Sequence, residues 1–74
     1  MSTFRVGSAQ GRTAGGVTPH ALVCETCNEE MEETAPVERG QEKFSGMTTA
    51  GVARIWPILE KMVRQHETRC RKLT

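Results

Sequence analysis

One apolar stripe limits what this chain can become. Read as a helix, residues 49–73 place Val52, Ile55, Trp56, Leu59, Met62, Val63, His66 and Cys70 along a single face. That spacing of three and four is the pattern of a helix with one buried side. The stripe ends in a histidine and a cysteine four residues apart, whose side chains stack one above the other about 6 Å apart along the axis. Upstream, Cys24 and Cys27 form a second pair, separated by two residues. The two pairs together offer the four nitrogen and sulfur ligands that a tetrahedral zinc ion takes.

Such a staple answers a deficit. The chain has 74 residues, 36% of them hydrophobic, and its aromatic residues are Phe4, Phe44 and Trp56. Below roughly 80 residues a core alone seldom supplies more than about 3–5 kcal/mol, and metals or disulfides make up the rest. The cysteine count is odd, which disfavours a closed disulfide framework. No apolar run approaches the roughly 20 residues of a membrane span, and the first residues, MSTFRVGSAQ, lack the pattern of a signal peptide. The expected setting is the cytoplasm, where thiols stay reduced and bind metal.

Along the chain, residues 1–18 read as a flexible strand and loop. Gly7 to Thr13 is one residue short of a phosphate-binding loop and has Arg12 where that loop needs lysine, so a plain loop is the better reading. Residues 19–74 read as a single zinc-binding domain. Within it, Pro19 to Cys24 is a short apolar strand that leads into the Cys24–Cys27 turn. Residues 28–46 read as an acidic loop, with Asn28 placed to cap a short helix and Pro36 to end it. Residues 49–73 form the helix, capped by Thr48 or Thr49. Pro57 falls on its polar side, and the stripe stays in phase across it, which favours one kinked helix over two. The fold class expected is therefore α+β: a small zinc-stabilised domain, short N-terminal strands and a knuckle packed on one long C-terminal amphipathic helix.

The predicted ligands are Cys24, Cys27, His66 and Cys70. His20 competes with His66, but an extended strand sets it roughly 13 Å from Cys24. The set resembles zinc fingers of the C2HC type, in which a CxxC knuckle faces a helix bearing the second pair, with a longer gap here between Cys27 and His66. That resemblance implies the metal site. It does not imply base reading, because the helix start that reads DNA in those fingers is Thr49-Ala-Gly-Val-Ala here.

A zinc ion with four protein ligands is closed and structural, since a catalytic one keeps a position for water. No Ser/His/acid set stands out, so the expectation is a non-enzymatic module. Net charge is only +1, yet residues 25–43 are acidic and residues 54–72 are basic. The basic helix face of Arg54, Lys61, Arg64, Arg71 and Lys72 is the candidate partner surface, for a protein first and for nucleic acid as the alternative.

Overall fold

The computed structural model describes residues 2–73, with side chains described as far as Cys70. Strands β1 (Thr3–Ala9), β2 (Val17–Cys24), β3 (Glu30–Glu38) and β4 (Met47–Thr48) are followed by helix α1 (Thr49–Ile55), a 3-10 turn (Pro57–Leu59) and helix α2 (Glu60–Leu73). The strands form one antiparallel sheet in the order β3-β2-β1-β4. Among the described residues no helix is long and apolar enough to cross a membrane.

The β1–β2 hairpin turns at Gly15 (φ 61°) and Gly16 (φ 80°), with Ala14 and Val17 exchanging both backbone hydrogen bonds. Two successive left-handed residues make the tight turn that matches strand twist, and glycine adopts them without strain. A register shift between Val6 and Ala9 bends β1. Gly7 lies within it because a Cβ there would come 2.9 Å from Val23 Cγ2.

One face of the sheet carries Phe4, Leu22, Cys24, Met31, Ala35 and Val37. The cross-strand pairs Phe4–Cys24, Thr18–Val37 and His20–Ala35 fix that register. Val52, Trp56, Leu59, Val63 and Cys70 cover it, with Phe44, Ile55 and Met62 packed at the margin. The apolar stripe is thus the lid of the core.

Three expectations are corrected. The single long helix of residues 49–73 is two helices, of which the longer has 14 residues. Pro57 disfavours helical geometry at the residue before it, and Trp56 accordingly swings to φ −127°, ψ 81°. Its N–H still closes α1 on Val52 O at 2.8 Å, and Leu59 N–H bonds Trp56 O at 2.9 Å to restart the chain. The break leaves the stripe in phase, so burial does not require a continuous helix.

Residues 28–46 are not an acidic loop throughout. Residues 30–38 form β3, in which Met31, Ala35 and Val37 are buried while Glu30, Glu32 and Glu38 are exposed. The glutamates occupy the solvent side of a half-buried strand, and Pro36 is tolerated because β3 is an edge. Nor do residues 1–18 stand outside the domain. Strand β1 lies between β2 and β4, and Phe4 is fully buried. The architecture is therefore a four-stranded sheet with two short helices on one face.

The open edge of β3 is guarded by side chains. Glu33 N–H donates to Met62 Sδ (3.4 Å), Pro36 O accepts from Trp56 Nε1 (2.7 Å) and Glu38 N–H donates to Gln41 Oε1 (2.9 Å). These contacts occupy groups on which another strand would pair.

Thr48 caps α1, its hydroxyl accepting from Gly51 N–H at 3.1 Å. Losing such a cap costs about 1 kcal/mol. Thr48→Ala is expected to lower the urea midpoint by a corresponding amount with the slope unchanged, as followed by circular dichroism.

Candidate metal centre

Strand β2 ends at Cys24, and the chain reverses through a tight turn. Asn28 N–H bonds Cys24 O at 2.7 Å and Cys24 N–H bonds Glu29 O at 2.9 Å. Asn28 is not a helix cap. It takes the left-handed conformation, φ 59°, which asparagine tolerates better than most side chains, and so lets β3 start back along β2. Glu25 N–H is tied to Thr3 O at 2.8 Å, which fastens the turn to β1. The turn carries Cys27 round beside Cys24.

Helix α2 supplies the other half. His66 and Cys70 lie one turn apart on its buried side, and both are nearly inaccessible. The ligand atoms of Cys24, Cys27, His66 and Cys70 all lie within 4.8 Å of one another, and no disulfide joins the cysteines. Cys27 Sγ and His66 Nε2 are 3.4 Å apart. A tetrahedral ion about 2.3 Å from sulfur and about 2.0–2.1 Å from nitrogen would set that edge at roughly 3.5 Å. The four side chains are arranged to hold a metal ion.

The charge state of the thiols fits the same conclusion. Burial pushes the Cys24 thiol up, but this is outweighed by hydrogen bonds from the Cys27 backbone, the His66 side chain, the Thr26 backbone and the Cys27 thiol, which bring it down to about 6. Burial raises the Cys27 thiol, and Cys24 and Cys70 beside it raise it further against the Glu29 backbone N–H. The cluster accepts one negative charge readily and resists the next. A bound cation would remove that resistance, because thiolate is the form that ligates.

Behind the ligands stands a second layer. His66 turns Nε2 towards the sulfurs and Nδ1 towards Glu29, whose Oε2 is 3.7 Å away. Arg69 Nη2 donates to Glu29 Oε1 at 2.6 Å and lies 3.1 Å from His66 Nδ1. Arg69 can only donate, so in this arrangement Nδ1 accepts from it. With a metal on Nε2 the proton would move to Nδ1, and the Glu29 carboxylate, 3.7 Å away, is the acceptor that could then hold the ring. Phe4 meets the same ring edge-on, with centroids 6.0 Å apart. Replacing Glu29 by glutamine is expected to weaken metal binding about 10–100-fold, measured by competition with a chromophoric chelator, with the far-ultraviolet spectrum of the loaded protein unchanged.

Neither Glu29 nor Arg69 stands out in the sequence, where one is part of an acidic run and the other of a basic one. Their positions, two residues after Cys27 and three after His66, are the signal that could have found them. His20 is placed elsewhere. It sits on β2 with Nδ1 3.1 Å from Thr18 O, lining an open cavity of about 670 Å³ with Thr13, Thr18, Val37, Arg39 and Glu42.

Of the candidate partner surface, Arg54, Lys61 and Arg64 are exposed, and Arg64 lies 3.7 Å from Glu60. The side chains of Arg71 and Lys72 lie outside the described residues. Trp56 is buried and bonded, so it offers no anchor to a partner. Among the described residues the large apolar side chain that is exposed is Ile58, at 73%.

No family model, no curated protein and no solved structure matches this chain. Of the expected resemblance to a C2HC zinc finger, the structure shows the convergence of the four candidate ligands.

Proposed function

We propose that Cys24, Cys27, His66 and Cys70 bind one zinc ion, and that the protein is a non-enzymatic interaction module held together by it. The observation that carries this reading is the convergence of the four ligand atoms within 4.8 Å. Three thiolates and one imidazole suit zinc, which has no geometric preference of its own and accepts a protein-imposed tetrahedron. Four protein ligands leave no position for a reacting water, so the ion's role is structural. A reducing compartment such as the cytoplasm keeps the thiols in their ligating form.

With the metal assigned to the fold, the activity falls to the surface. Arg54, Lys61 and Ile58 are exposed along the helical layer, a combination of charge and apolar area that suits a protein partner in a regulatory complex. Nucleic acid is the second reading, and the geometry favours it less. Arg69 is held by Glu29, Arg64 lies beside Glu60, and β3 presents a row of glutamates that repels phosphate.

Mass spectrometry under native conditions tests the first claim: one zinc per chain is expected, and a metal-free protein with an intact fold would sink it. A salt titration against random DNA and RNA tests the second. No binding is expected at about 50 mM salt, and tight binding that falls steeply with added salt would establish the nucleic-acid reading instead.

A further inference from the structure

The three thiols of the cluster are not equivalent. Cys24 is fully buried and Cys70 is 1% exposed, whereas Cys27 is half-buried. Cys27 Sγ lies 3.4 Å from His66 Nε2, and His66, with Glu29 and Arg69, lines an open pocket at the surface. An oxidant arriving from solvent therefore meets one sulfur first.

We infer that Cys27 is a modification site for peroxides, resolved by Cys24 with release of the bound metal. The inference rests on the metal assignment above and adds a chemical switch to it. The thiolate that ligates zinc is also the nucleophile that reacts with peroxide. In the first step Cys27 Sγ attacks one peroxide oxygen and the O–O bond breaks, giving the sulfenic acid and hydroxide. In the second, Cys24 Sγ attacks Cys27 Sγ, forming the S–S bond and expelling the sulfenic oxygen as a second hydroxide. The two thiolates lose two electrons and the peroxide gains them. Both hydroxides take protons from solvent and leave as water, and zinc departs as the dication.

Closeness in the chain favours Cys24 as the resolving partner, although Cys70 Sγ lies within the same 4.8 Å. Cys24 and Cys27 flank a tight turn held by the bond from Asn28 N–H to Cys24 O. That bond runs from residue i+4 back to residue i and closes a single α-turn, in which residues three apart sit about one helical turn from each other, inside the roughly 7 Å limit of Cα separation for a disulfide. Cys70 lies on α2, and a bridge to it would tie the helix across to the turn. Closing Cys24 to Cys27 removes two ligands at one stroke and leaves His66 and Cys70 too few to hold the ion. Helix α2 then loses its metal tie to the β2–β3 turn.

The test treats the zinc-loaded full chain with hydrogen peroxide and follows zinc with a chromophoric chelator while peptide mass mapping locates the oxidation. One zinc released per Cys24–Cys27 disulfide is expected, reversed by a thiol reductant and added zinc. Cys27→Asp exchanges a sulfur ligand for an oxygen and so binds zinc more weakly. The fraction loaded with zinc before treatment offers no sulfur at that position, however, and is expected to keep its zinc through the same treatment. Zinc retained by the wild-type chain through oxidation overturns the inference. So does release with a bridge to Cys70, with Cys27 sulfinate as the first product, or at an undiminished rate from a zinc-loaded Cys27→Asp. A chain that carries no zinc before oxidant overturns the metal reading itself, and the inference with it.

Discussion

Stripping the metal with a chelator, or replacing Cys70 by serine, is expected to abolish the cooperative thermal transition of this protein. Cys70 is 1% exposed and lies in the core as well as in the candidate metal centre. Serine there would lose a soft ligand and bury a hydroxyl against apolar neighbours. Structural zinc contributes roughly 10–16 kcal/mol of apparent binding energy at neutral pH. Small domains have only about 5–15 kcal/mol of total stability. A metal term of that size would be as large as the whole, so on the proposed reading its removal would exceed what the sheet and its helical lid can replace. Scanning calorimetry with and without chelator reads the effect directly, and an unchanged transition would remove zinc from the account of the fold. Acid should act in the same direction, because each thiol must lose a proton to ligate.

Phe4→Ala is the second large effect. Phe4 is completely buried, pairs across the strands with Cys24 and with Met47, and meets the His66 ring. A buried phenylalanine truncated to alanine costs about 3–5 kcal/mol, through lost transfer energy and the cavity left behind. Urea denaturation of the zinc-loaded variant should show that loss. Zinc affinity should fall too, since the cavity frees the imidazole that the ring now confines. A cost below about 1 kcal/mol would mean that the N-terminal strand is not part of the core.

Phe4 also shows where the sequence was hard to read. One aromatic followed by a glycine-rich stretch looks like a loose terminus, and only its pairing with β2 and β4 makes it a central strand. The alternation of Phe4 and Val6 with Thr3 and Arg5 marks a short strand, but strand pairing is non-local, so nothing beside Phe4 announces a central place in the sheet. The same holds for β3. Met31, Ala35 and Val37 alternate with polar residues, but glutamates and Pro36 disguise the period, and an edge strand with one solvated face can carry both. The helical stripe was legible because its periodicity is local, although Pro57 at its centre acts on Trp56 more strongly than continuity of the stripe suggested. The ligands were the clearest signal of all. Spacings of two and three residues are set by a turn and by one helical turn, and the structure brings those two pairs together. Glu29 and Arg69 stayed hidden because the contact between them spans 40 residues, and their closeness in sequence to Cys27 and His66 carries meaning only once those two are taken as ligands.

The two halves of the metal site meet across a long stretch of chain: Cys27 and His66, in contact at 3.4 Å, are 39 residues apart. Closing a loop of that size carries an entropic cost that grows only slowly with length, but it must be met before the ligands can share an ion. Contacts of this separation slow folding. Zinc offered to the unfolded chain would first find half-sites, the hairpin turn or the helix pair, each holding it loosely. Full coordination has to wait for β3 to return along β2 and for α2 to settle on the sheet. The rate at which the last ligand engages is therefore a clock for the final docking step, and a metal with visible thiolate charge-transfer bands, such as cobalt, would let that step be timed.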